Sequence, residues 1–479
     1  MAFNSLHYAF FLILVVFGYF SLPHRFRWVL LLIGSYYFYM CWKPEYVVLL
    51  ILSTLIDYFA GLGLGKYTNE TVRKWILGVS LGSNLGMLFF FKYWDFFGRN
   101  VETFLGSFNL FVHWPATGFL LPVGISFYTF QSMSYTIDVY RGQKTAEPHL
   151  GLFALYIVYF PQLVAGPIER STNLFPQLAR TTPVPFDPDR TVDGLRLILW
   201  GIVKKVVIAD RLGLFVAMAY GNVGLHPPST SVLAAWFFAI QVYCDFSGYS
   251  DIAIGSARIM GVDLMTNFHK IYWSTSVTEY WKRNHISLTT WFRDYLYIPL
   301  GGSRKGKLRK YLNVMAIFIV SGFWHGAGWT YVFWGTLNGF YLVYEQITAD
   351  LRARVTSALH LDRIPRLKAA ARMVLTFNLV ALGLVFFRSA TFDDALTILG
   401  RVFTMPWGKP FLGSPANVIY GVMGIALLFA VEYFQRDDRL DRAIGGWHVL
   451  GRWGFYSACV LAILMIGVFD GGQFIYFQF

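Results

Sequence analysis

The chain has 479 residues, of which 56% are hydrophobic and 14% charged, with a mean hydropathy of +0.48 and a formal net charge of +13. These proportions exclude an ordinary water-soluble globule and predict an all-α, polytopic membrane protein built as a single integral domain over 1–479. A span needs about 20 mainly apolar residues, so the apolar runs predict roughly ten to twelve crossings or half-crossings; Lys and Arg in the connecting loops then read as a topology signal, with no nucleic acid among the partners.

The first run, at about 6–22, is followed by Arg25 and Arg27 and not by a small-residue cleavage site, so it reads as a retained span. Runs at about 28–40 and 46–64 lead to a polar break with Lys66, Arg73 and Lys74, expected on the cytoplasmic side, and a further run covers 75–91. Aromatic clusters at 38–42 and 89–94 suit an interfacial belt or core packing. The stretch 120–142 sets Pro122 and Gly124 before Gln131, Ser134, Thr136 and Asp138, a mixture suited to a bundle interior. Within 159–171, Pro161, Gly166 and Pro167 interrupt an apolar run, and broken backbone at membrane depth has to line a cavity or lie within protein. Residues 173–190 form a polar, proline-rich extramembrane connection.

In 195–220, Lys204 and Lys205 interrupt an apolar run; snorkelling to the interface is the favoured reading and phosphate binding the other. Asp245 stands one helical turn from Tyr249, and Asp251 one turn from Ser247, which favours hydrogen-bonded glue over a catalytic carboxylate. Cys41, Cys244 and Cys459 are widely spaced and imply neither a disulfide framework nor a zinc site.

Chemistry concentrates in 279–338. A continuous helix over 279–295 would align Trp281, His285, Leu288, Phe292 and Tyr295 in one apolar stripe, with Lys282, Thr289 and Arg293 on another face. That pattern predicts an interfacial helix, ended by Pro299, Gly301 and Gly302. Arg304, Lys305, Lys307, Arg309 and Lys310 follow within seven positions, and a second basic segment runs from Arg352 to Arg372. If both are cytoplasmic, 311–346 leaves and returns with about 17 residues each way, turning at Trp324-His325-Gly326. His325 is thereby placed deep, among Gly322, Gly326, Gly328, Trp324 and Trp329. An ionisable group within a membrane is costly, so a functional role is expected for His325, while core packing and function balance for His285. The two histidines are 40 residues apart with no metal-binding spacing, and no metal is expected. Apolar runs at about 373–387, 418–434 and 455–469 complete the chain, which closes on FIYFQF, an aromatic-rich segment expected at the interface.

The segments LPVGISFYTF, AGPIERS, DFSGYSDIAIG, HISLTTWFRDYLYIPLGG, FWHGAGWTYVFWG and FIYFQF occur in order along nearly the whole chain. Together they resemble the membrane-bound O-acyltransferase superfamily, most closely the branch of the bacterial alginate O-acetylation membrane protein, with the teichoic acid D-alanine transfer protein as a cousin. The resemblance implies a helical bundle with a central funnel and a histidine where donor and acceptor meet. By motif that histidine is His325, and His285 occupies the family's second histidine position; Asn284 stands where the family usually has an aromatic residue. It further implies an acyl-CoA donor, acetyl-coenzyme A being expected, no bound cofactor, and a bacterial inner-membrane location. The acceptor would be a hydroxyl on an extracytoplasmic acetyltransferase partner or on a polysaccharide directly. On this reading neutral His325 is the general base, reachable from both faces of the membrane, and His285 shapes the donor entrance or assists proton transfer. The rival classes are a transporter or export component with a permeation path and no covalent chemistry, and a scaffold whose partner does the chemistry.

Overall fold

The computed structural model describes residues 1–164, 166–435, 440–469 and 474–475, and every regular element among them is helical. Apolar sequence in lipid has to satisfy its backbone polar groups internally, and a helix does so within one segment. Contacts divide the chain into two compact units, 1–198 with 250–265 and 199–249 with 266–479.

The first unit begins with α1 (Leu6–Ser21), α2 (His24–Met40), α3 (Val47–Lys66) and α4 (Glu70–Leu88). α4 does not end near 91: a π-helical turn at Phe89–Tyr93 carries it into Trp94–Gly106. Next comes α5 (Ile125–Tyr140), buried along almost its whole length, as its polar residues predicted. Its start is fixed by Gly124, at φ +76°, where a Cβ would lie 2.7 Å from the Leu163 carbonyl oxygen. α6 (Leu150–Val158) gives way to a single turn at Phe160–Leu163. This interrupted backbone lies inside protein: Gln131 and Gln162 both donate to the Tyr156 carbonyl, at 2.6 and 2.8 Å.

A knot of polar side chains ties three helices of this unit together. Asp57 on α3 is fully buried and accepts from Ser80 and Asn84 on α4 and from Thr136 on α5, with Asn84 at 2.8 Å and Thr136 at 3.1 Å. Asn84 in turn accepts from Ser53 at 3.0 Å.

Into the second unit, α7 (Pro188–Ile202) passes through a π-helical turn at Val203–Ala209 to α8 (Asp210–Gly221). The favoured reading of Lys204 and Lys205 fails here, because both are buried and neither snorkels. Lys205 forms ion pairs with Asp210 at 2.8 Å and Asp245 at 2.6 Å, and Lys204 donates to Ser247 at 3.0 Å. Asp245 and Ser247 lie on α9 (Pro228–Ile259), about 40 residues on, so local periodicity could not show the pairing. Asp245 also accepts from the Ile475 backbone N–H at 2.8 Å. The closing FIYFQF is accordingly not interfacial where it is described: Phe474 and Ile475 are buried, Phe474 against Phe246 and Tyr249, and its last four residues lie outside the described ones.

There follow α10 (Val277–Arg283), α11 (Ile286–Phe292), the paired α12 (Lys307–His325) and α13 (Trp329–Ile347), then α14 (Pro365–Arg388), α15 (Pro415–Gln435) and α16 (Val449–Ile466). Among the described residues six helices are long and apolar enough to cross a membrane: Pro44–Lys66, Glu70–Gly106, Pro228–Ile259, Pro365–Arg388, Pro415–Gln435 and Val449–Ile466. The ten to twelve crossings or half-crossings of the sequence reading also counted shorter or more polar helices, such as α1 and the α12–α13 pair.

Candidate active site

The α12–α13 pair is the expected hairpin, with its reversal at Gly326–Gly328 directly after His325. Its two helices meet backbone to backbone. A Cβ on Gly335 would sit 2.2 Å from the Phe318 carbonyl oxygen, and one on Gly322 would sit 2.4 Å from that of Tyr331.

His325 ends α12 with 3% of its surface exposed, and its Nδ1 lies 2.6 Å from the Ser321 carbonyl oxygen. A carbonyl only accepts, so Nδ1 carries the proton and the lone pair of the neutral ring is on Nε2. Trp334, Trp324 and Phe387 pack edge-on around the ring, at centroid distances of 4.8, 4.9 and 5.9 Å. Asn338 braces this wall: it accepts from Trp281 Nε1 at 3.2 Å and donates to the Trp334 carbonyl at 2.8 Å.

The continuous helix expected over 279–295 is broken. α10 stops at Arg283, and His285 adopts a left-handed conformation, φ +49°, before α11 begins. Asn267 explains the break. Its carbonyl accepts from the Ile286 N–H at 2.9 Å and its side chain from the Ser287 hydroxyl at 2.9 Å, replacing bonds a continuous helix would have made. Most of the predicted stripe nonetheless faces inward: Trp281, His285, Leu288 and Phe292 are buried, while Tyr295 is half-buried.

The break turns His285 toward the hairpin, and the two imidazole centroids stand 6.4 Å apart. His285 also packs edge-on against Phe246 at 4.7 Å. It lies outside the membrane-spanning helices; burial first, and His325 second, push its pKa well below the ordinary imidazole range, so it is held neutral. Both histidines line a cavity of about 30 Å³ with Tyr243, Asn284, Trp281 and Trp334. That volume holds about one or two waters.

Sequence reasoning missed Glu432. Buried in the apolar α15, it accepts from the Tyr243 hydroxyl at 2.5 Å and from Trp273 Nε1 at 2.9 Å, and so fixes one lining residue of the cavity. A lone carboxylate inside the 418–434 run was the available signal. Among the described residues no group of three or more His, Cys, Asp or Glu is arranged to hold a metal ion.

The sequence model of the membrane-bound O-acyltransferase family matches residues 145–387, a range that contains both histidines. A protein of Pseudomonas putida named a probable alginate O-acetylase is 35% identical over 505 residues, covering all of both chains. A peptidoglycan O-acetyltransferase of Helicobacter pylori is 32% identical over 398 residues, 77% of this chain and 72% of its own. A teichoic acid D-alanyltransferase of Streptococcus thermophilus is 28% identical over 292 residues, 55% of this chain and 68% of its own.

Proposed function

The chain belongs to the membrane-bound O-acyltransferase family, and from that premise we propose that it takes an acetyl group from acetyl-coenzyme A on the cytoplasmic side of a bacterial inner membrane and delivers it to a hydroxyl beyond the membrane. The acceptor is a cell-surface polysaccharide or the hydroxyl of an extracytoplasmic partner enzyme that acetylates one. The names of the alginate and peptidoglycan relatives support the acetyl group and the polymer.

One observation carries the mechanism: the Ser321 carbonyl holds the proton on Nδ1 of His325, which makes Nε2 the basic atom. Nε2 removes the proton of the acceptor hydroxyl as its oxygen attacks the thioester carbonyl carbon. The carbon–oxygen bond forms, the carbon–sulfur bond breaks, and the departing thiolate takes the proton back from the imidazolium. General-base catalysis of this kind is worth about 10²–10⁴ in rate. His285, neutral and beside it, positions the reactants. A cavity of about 30 Å³ is too small for the acetyl thioester, so on this reading Trp334 and Phe387 move aside when donor and acceptor arrive. An apolar wall then shields the thioester from hydrolysis. The hairpin starts and ends at basic segments, beginning at Arg304 and Arg352, which favour the phosphates of coenzyme A at that end.

The test is transfer of radiolabelled acetyl from coenzyme A by the purified protein with a polysaccharide acceptor and any partner enzyme. His325→Ala is expected to lower transfer by about 10²–10⁴ while remaining folded and membrane-inserted. Unchanged acetylation in that variant would assign the chemistry to a partner, and polymer transport persisting without acyl transfer would favour a permeation path.

A further inference from the structure

The first unit contains a second cavity, of about 350 Å³, within the size range of small-molecule sites. His24, Arg25, Arg27, His149 and Arg180 line it, and no acidic side chain does. Two of the guanidiniums are braced without being neutralised. Arg27 donates to the Val184 carbonyl at 2.7 Å and to that of Leu22 at 3.3 Å, and Arg180 donates to the Gly261 carbonyl at 3.1 Å. No carboxylate pairs with Arg25, Arg27 or Arg180 among the described residues, so their charge is available to a ligand.

The imidazoles add directed donors. His149 Nδ1 accepts from the Leu152 N–H at 3.1 Å, so its proton is on Nε2. His24 donates from Nε2 to the Arg180 carbonyl at 2.7 Å, and its buried Nδ1 has no hydrogen-bond partner among the described residues. The same cavity receives the N-terminus of α2, which has no side-chain cap and no acidic residue in its first turn, so the positive end of the helix dipole is uncompensated. Trp28, Leu31 and Leu152 also line the cavity, apolar surface suited to the uncharged part of an amphiphile or to a planar base.

We propose that this cavity binds a phosphate ester: its guanidiniums, imidazoles and helix terminus hold the phosphate, and its apolar wall holds the group esterified to it. Two sources present that chemistry, an anionic glycerophospholipid headgroup and the nucleotide end of coenzyme A. The second rests on the acetyl-coenzyme A reading above; the first does not.

The experiment measures binding of short-chain phosphatidylglycerol, short-chain phosphatidylcholine and adenosine 3′,5′-bisphosphate to the purified full-length protein in detergent. Saturable binding of one or both anionic probes, with phosphatidylcholine far weaker, is expected. Each guanidinium removed is expected to weaken binding about fivefold. Arg27→Gln and Arg180→Gln also remove a brace on a backbone carbonyl, so Arg25→Gln, at an exposed residue making no hydrogen bond among the described residues, has to show the same loss with an unchanged Tm. Preference for phosphatidylglycerol assigns the lipid source, and preference for the bisphosphate assigns the nucleotide. Anionic probes that bind no better than phosphatidylcholine, or binding unaltered in Arg25→Gln, would overturn the proposal. His325→Ala is expected to bind the probes as wild type does, so a failed acyl-transfer assay and a failed phosphate-binding assay are told apart.

Discussion

Asp57 in the first unit and His325 in the second are both ionisable groups with almost no exposure, yet their surroundings differ in kind. Asp57 accepts from Ser80, Asn84 and Thr136, so its oxygens are consumed by neighbouring helices. His325 commits one nitrogen to its own helix at Ser321 and turns the other edge of its ring into an aromatic-walled cavity shared with His285. Burying either group is costly; Asp57 is held among hydrogen-bond donors from neighbouring helices, and His325 lines a cavity. On the proposed mechanism, the space beside His325 is what sets it apart from a structural residue such as Asp57.

That contrast breaks most visibly at His325. Replacing it with alanine is expected to lower acetyl transfer by about 10²–10⁴ at an unchanged Tm, measured with labelled donor on protein of verified fold. Asp57→Leu should do the converse. Leaving three donors unmatched is expected to cost about 2–3 kcal/mol, read as denaturant midpoint in detergent, while transfer per folded molecule stays within twofold. A hundredfold loss of activity in folded Asp57→Leu would erase the distinction. Smaller still, His285→Ala is expected to slow transfer about tenfold, equivalent to ~1.4 kcal/mol in the barrier, with kcat falling more than KM rises. The finest probe is Glu432→Gln: an amide can accept from Tyr243 but opposes its own N–H donors to Trp273 Nε1, so a loss of about 1 kcal/mol in stability is expected, followed by thermal unfolding.

Much of the second site was legible from sequence because imidazoles in apolar surroundings are rare and the flanking basic segments set the hairpin's length. The break at His285 was not legible. It depends on Asn267, which is outside the 279–295 window and competes with helical hydrogen bonding by a contact no periodicity encodes. Lys205 failed for the same reason: its carboxylate Asp245 is on another helix, and without that partner snorkelling is the sounder inference. Asp57, within an otherwise apolar run, drew no prediction, although it organises the polar interior of its unit.

The glycine seam of the hairpin has one more consequence. Because Gly322 and Gly335 bring main chain against main chain, the location of the His325 imidazole is dictated by backbone and not by the bulk of the rings around it. On the proposed mechanism, catalytic geometry and acyl-chain capacity are then carried by separate parts of the structure, and trimming Trp334 or Phe387 is expected to admit longer acyl donors while the His325 imidazole stays where it stands.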